Sequence, residues 1–162
     1  MHQVVAALFV IACLPAGALA REQGGVAARQ QRLDACSFLP RPLMEKVTPG
    51  PVNKYVFEMK PHGEPVGVAG SSCDYATTGL QIDPFARADE MRRNSPGKDW
   101  QPLTGVGDTA YFRNNGGRWA ELMVWTGAHH FTIQMGVPNG STAEAIKPNT
   151  VTLAHAIIDK LK

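Results

Sequence analysis

The side chains best suited to chemistry in this chain are a few thiols and imidazoles. Cys36 comes first, in the stretch LDACSFLP at residues 33–40. A nucleophilic Cys36 needs a free thiol and a paired base, and no base is spaced to serve it. Zinc needs about four ligands at close spacing, and neither a C-x-x-C pattern nor neighbouring histidines accompany Cys36 or Cys73. A disulfide between the two is the expected state in an oxidising compartment. It would close a loop of roughly 38 residues, which the chain-entropy model values at about 4 kcal/mol.

The histidines are less suggestive. His129 and His130 are adjacent, and adjacent strand residues point to opposite faces, so the two rings cannot share one ion. His130 could join Glu121 or Asp108, but no spacing requires it. His155 is read as a surface residue and His62 as part of a turn. There is no G-x-S-x-G, no H-E-x-x-H and no phosphate loop. The stretch GVGD is too short to cradle phosphate and lacks the lysine. The carboxylates are scattered, with no pair placed for acid–base work. The sequence therefore leads us to expect no catalytic residues, no metal and no cofactor.

The compartment is read from the N-terminus. Val4 to Leu14 is apolar over the length of a signal-peptide core and is too short to cross a bilayer as a helix. Pro15 and Gly17 break it, and Ala18-Leu19-Ala20 offers a cleavage site before Arg21. Residues 1–20 are thus expected to be a signal peptide. The alternatives are an uncleaved anchor, or a lipid on Cys13, since VIAC passes for a lipobox. The expected location is periplasmic or secreted, with no transmembrane span once the signal is removed. The remaining chain of about 142 residues suits one domain. Its composition is that of a globular protein, with 44% hydrophobic and 19% charged residues. A net charge of +2 with no basic stripe argues against nucleic acid as a partner. The stretch NGS at 139–141 fits a glycosylation sequon, relevant only to a eukaryotic secretory pathway.

The elements that must position these groups follow from pattern. Residues 21–33 read as a flexible lead and 34–162 as a single domain. Asp34 caps a short helical turn through Leu39, and Pro42 opens a second short helix, Leu43 to Val47. Strands are predicted over Val52–Met59, Val66–Ala76 and Leu80–Phe85, with KPHGEP as a turn between the first two. A short helix spans 85–94. Extended segments follow at Trp100–Thr104 and Thr109–Arg113, then an NNGG turn. WAELMVW (119–125) and HHFTIQM (129–135) flank Gly127-Ala128, which suits a two-residue type II′ hairpin. A closing helix begins near Pro148, with Val151, Ala154, Ile157, Ile158 and Leu161 as its apolar stripe. The fold class is α+β: two layers, an antiparallel sheet of five to six strands, and N- and C-terminal helices covering it.

The hairpin register sorts side chains between two faces. Leu122 opposite Ile133 and Val124 opposite Phe131 form a core face. The other face holds Trp119, Glu121, Met123 and Trp125 opposite His130, Thr132 and Gln134. Two tryptophans and a methionine on a wetter face mark a contact surface, unless another segment covers it as a second small core.

Several motifs also resemble a known group. DACSFL near the mature start, SSCDY, GVGDTAYF and the closing helix resemble exported bacterial domains of unknown function, many of them lipoproteins. That group typically shows D-x-C-x-L-L, C-x-Y and V-G-D-x-A-Y motifs. The resemblance implies an α+β fold, an envelope location and a Cys36–Cys73 bond, and brings no activity. Here Phe38-Leu39-Pro40 departs from its usual apolar pair. A remoter likeness in element order is to PsbP-like binding or assembly domains. The expected function is a non-enzymatic exported envelope module that binds a partner protein or a small apolar ligand. The alternatives are a hydrolase with a site not recognisable from sequence, and an inhibitor acting through an exposed loop such as 61–70 or 94–107.

Overall fold

The computed structural model of the chain describes residues 32–48, 50, 60–66, 70–84 and 87–162. After a 3-10 turn at Ala35–Phe38 come α1 (Arg41–Val47), β1 (His62–Val66), β2 (Gly70–Tyr75) and β3 (Thr78–Pro84). These are followed by α2 (Arg87–Asn94), β4 (Gln101–Leu103), β5 (Thr109–Asn115), β6 (Trp119–Thr126), β7 (His129–Gly136) and α3 (Ala143–Leu161). The strands form one antiparallel sheet in the order β1-β2-β3-β7-β6-β5-β4.

The α+β class holds, with seven strands rather than five to six. The difference lies partly in KPHGEP, whose last four residues belong to β1 rather than to a turn. Pro65 sits there opposite Ser71. Proline cannot donate to a ladder, so it is tolerated on an edge strand, and β1 is an edge. Pro102 plays the same part in β4 at the other edge. Both edges are thereby poor templates for pairing with another chain. The strand expected at Val52–Met59, the signal peptide at 1–20 and the lead as far as residue 31 lie outside the described residues. Among the described residues, no helix is long and apolar enough to cross a membrane.

The β6–β7 hairpin has the expected register. Leu122 pairs with Ile133, Val124 with Phe131 and Trp125 with His130. Gly127 has φ +53°, the value a glycine supplies freely at the first central position of a type II′ turn. The GVGD stretch clamps this turn. The Asp108 N–H donates to the Trp125 carbonyl at 2.8 Å, and the Gly127 N–H donates to Asp108 Oδ2 at 2.8 Å. A side chain at Gly107 would lie 2.6 Å from the Trp125 carbonyl oxygen, so only glycine fits there.

One face of the sheet carries the main core. Leu80, Ile82, Phe112, Leu122, Val124, Phe131, Ile133 and Met135 are buried against Leu153, Ala154 and Ile157 of α3 and against Phe38, Leu39 and Met44. The closing helix starts five residues earlier than Pro148. Thr142 caps it by accepting from the Ala145 N–H at 3.1 Å, Glu144 lies in its first turn, and Pro148 sits inside. Burial of Ala143 and Ile146 rewards the extra turn. The stripe also shifts: Leu153 is buried, whereas Val151 and Leu161 are only partly so. The N-terminal elements are held to β2 twice. Cys36 and Cys73 form the disulfide, with Cα atoms 5.1 Å apart, and the Ala35 N–H donates to Ser71 Oγ at 2.7 Å. Asp34 caps the 3-10 turn through the Cys36 N–H.

Replacing Cys73 by serine should lower stability by roughly 2–5 kcal/mol, the usual loss for a small disulfide-bonded domain. Denaturant unfolding measures this. Mass spectrometry of the protein produced in an oxidising compartment should find the Cys36 and Cys73 peptides linked, and free thiols in that sample would contradict the assignment.

Candidate functional site

Alternation in the strands sends a second set of side chains to the opposite face. The registers align them in rows across the sheet. One row runs Asp83, His130, Trp125, Thr109. The next runs Ser72, Gln81, Thr132, Met123, Tyr111, and the third runs Asp74, Gly79, Gln134, Glu121, Arg113. The face is dominated by hydroxyl, amide, carboxylate and guanidinium groups.

Half of this face is roofed. The Tyr111 hydroxyl donates to the Arg93 carbonyl at 2.7 Å, which satisfies an orphan acceptor in the last turn of α2. Arg93 Nε donates to Thr109 Oγ1 at 3.1 Å. Further along, the Arg113 guanidinium stacks 4.4 Å over Trp100. Trp125 is consequently only 1% exposed, and Met123 is buried. The expectation that these two residues display an apolar contact surface is corrected: they form a second small core under the segment after α2. Trp125 packs edge-on against Tyr111 and lies against the His130 ring, with centroids 4.7 Å apart. Trp119, at 38%, is the one large apolar residue exposed among those described, and it stands at the far end of β6 opposite Gly136.

Glu121 is 2% exposed and its carboxylate is fully committed. Arg113 Nε donates to Oε2, while Asn115 Nδ2 and Gln134 Nε2 donate to Oε1 at 2.8 and 2.9 Å. A buried charge needs this many partners to offset its desolvation. Glu121 therefore braces the site and holds the Gln134 amide in one orientation.

The other half of the face, over β2, β3 and β7, is open. A cavity of about 210 Å³ lies there, lined by Ser72, Asp74, Gly79, Leu80, Gln81, Arg92, His130, Thr132 and Gln134. Gly79 makes the room, because its missing side chain leaves a gap between Asp74 and Gln134. His130 forms one wall. It is 3% exposed, and its Nδ1 lies 3.4 Å from Asp83 Oδ1. A carboxylate only accepts, so Nδ1 carries the proton in that pair. In the neutral ring Nε2 is then an acceptor, and it is buried and without a hydrogen-bond partner. Buried polar atoms are rarely left so. A second cavity of about 300 Å³ adjoins the first across Arg92, Thr132 and Gln134, and adds Pro96, Trp100, Arg113, Glu121 and Met123.

Of the sequence-predicted surface residues, His130, Thr132 and Gln134 come together at the first cavity. Glu121 and Met123 reach only the second, while Trp119 and Trp125 line neither. The carboxylate beside His130 is Asp83, not Glu121 or Asp108. Sequence reasoning missed Ser72, Asp74, Gln81 and Asp83. Their signal is the polar half of an alternation whose apolar half is Cys73, Tyr75, Leu80 and Ile82. No group of three or more metal-ligating side chains occurs among the described residues. Comparison with protein-family models, curated proteins and solved structures finds no match to this chain.

Two outcomes test this geometry. Trp125→Ala should lower stability by roughly 3–5 kcal/mol, as for other buried aromatics, and so rival Leu122→Ala. Arg113→Ala should cost about 2–3 kcal/mol, at or below the lower limit of roughly 3 kcal/mol for a broken buried pair because Arg113 is a third exposed. Arg113→Met combined with Glu121→Met should cost less than the two single changes together, and a double-mutant cycle in denaturant reads this coupling.

Proposed function

We propose that this chain is an exported, non-enzymatic binding module that takes a small polar molecule in the open cleft of its second sheet face. The observation that carries the reading is His130, a buried imidazole with an unpartnered Nε2 in the wall of a polar cavity. A buried acceptor of this kind costs about 1–3 kcal/mol unless something bonds to it, and a bound molecule would recover that cost. Burial of Trp125 removes the main platform on which an apolar ligand would have rested.

Other features fit the same reading. The disulfide suits an oxidising compartment. An activated nucleophile would show a hydroxyl bonded to the imidazole, and His130 Nε2 bonds to none among the described residues. The first cavity alone is smaller than the roughly 300–1,000 Å³ clefts that take drug-sized ligands, and the cleft reaches that range only with the adjoining cavity.

The test is ligand-detected NMR with the small-molecule fraction of an envelope extract. The wild-type protein should attenuate resonances of at least one compound. Gly79→Val, which fills the cavity between Asp74 and Gln134, should abolish that attenuation. A wild type that attenuates nothing, or a variant that behaves like wild type, would overturn the reading.

A further inference from the structure

We infer that the cleft is built for a neutral, hydroxyl-rich ligand of about two sugar rings, one in each of the adjoining cavities. This rests on the reading of the cleft as a small-molecule site and names the class of molecule. The first argument is charge. The first cavity carries one carboxylate, Asp74, and one guanidinium, Arg92, among its lining groups. They offset each other, so neither a phosphate nor a cation is favoured.

The second argument is the kind of hydrogen bonding on offer. Hydroxyls of Ser72 and Thr132 both donate and accept. The amides are already oriented: Gln134 Nε2 donates to Glu121, and Gln81 Nε2 donates to Asp83 at 3.3 Å. Each amide therefore keeps its carbonyl oxygen as an acceptor for the ligand. His130 Nε2 is a further acceptor and Arg92 a further donor. A zwitterion such as an amino acid would engage Asp74 and Arg92 and leave two amides, two hydroxyls and the imidazole unmatched. Neighbouring hydroxyls on a sugar ring donate and accept at once, and so match the whole set.

The third argument is the second cavity. It continues from the first across Arg92, Thr132 and Gln134, and brings the apolar surfaces of Pro96, Met123 and Trp100. A sugar ring has apolar C–H faces as well as a hydroxyl rim. A polar first cavity followed by one with apolar walls suits two linked rings better than one.

The experiment titrates the exported protein with glucose, N-acetylglucosamine, maltose, cellobiose and the β-1,4 dimer of N-acetylglucosamine. Glycine, glutamate, the dipeptide Ala-Ala and inorganic phosphate are run beside them. Saturation-transfer NMR reports binding, and tryptophan fluorescence, compared between wild type and Trp100→Phe, reports on Trp100. At least one disaccharide should bind, and more tightly than its monosaccharide. Thr132→Val and Asp74→Ala should each weaken it about three- to tenfold, the loss expected for one hydrogen bond. Their melting temperatures should stay close to that of wild type. Trp119→Ala, outside the cleft, should bind as wild type does. If the amino acids, the dipeptide or phosphate bind at the cleft and the saccharides do not, the ligand class is wrong while the site stands. If the envelope fraction binds but none of these probes does, the class also fails. Saccharide binding that both cleft variants leave unchanged would overturn the placement.

Discussion

The two-residue turn at Gly127-Ala128 fixes which side of the sheet every residue of β6 and β7 occupies. A slip of one residue would send Leu122, Val124 and their partners to the other face and bring Glu121 and His130 into the main core. The turn is secured from outside the hairpin. Asp108 bonds twice to its entry side, at the Trp125 carbonyl and the Gly127 N–H, and Gly107 approaches the Trp125 carbonyl too closely for any side chain. Because β3 and β5 pair with β7 and β6, the same register propagates across the sheet. The rows that make up the cleft are a consequence of that one turn.

The face so created has a burial problem, since it carries a glutamate and a histidine where water is largely excluded. The two halves solve it differently. On the β5–β6 side the Glu121 carboxylate is surrounded by Arg113, Asn115 and Gln134, and the segment after α2 is tied down through Tyr111 and Arg93. That half is a stabilised second core. On the β3–β7 side Asp83 meets one nitrogen of His130 and leaves the other unmatched. Gly79 opens the floor beside it. Trp125 Nε1 is also buried without a hydrogen-bond partner, but Trp125 lines neither cavity. His130 Nε2 is the unpartnered atom in the wall of the open cavity, which is why the proposed ligand site lies in the second half.

How much of this the sequence disclosed depends on the range of the interaction. The β6–β7 register, the Asp34 cap and the α+β class rest on local pattern, and each was legible in the residues concerned. The start of α3 was misread because Pro148 looks like a first-turn residue, while Thr142 and the buried Ala143 and Ile146 outweigh it. β1 was misread because Pro65 and Gly63 suggest a turn, and only an edge position reconciles proline with a strand. Whether Trp125 is exposed or covered stays open in the sequence, because alternation assigns a face without saying what covers it. The cover comes from residues 93–100, linked by hydrogen bonds that no periodicity encodes. The cleft was half legible: His130, Thr132 and Gln134 were singled out, but Asp74, Gly79 and Asp83 join them only through strand pairing at long range.

The central claim is that His130 Nε2 is an acceptor awaiting a ligand's donor. The most direct measurement is the side-chain imidazole nitrogen spectrum of the purified protein, alone and with the small-molecule fraction of an envelope extract. The ring should be Nδ1-protonated in the free protein. The ligand should then move the Nε2 resonance in the direction of a newly accepted hydrogen bond, with His155 unchanged. A proton already on Nε2 in the free protein, or ligand binding that leaves the His130 nitrogens where they were, would contradict it.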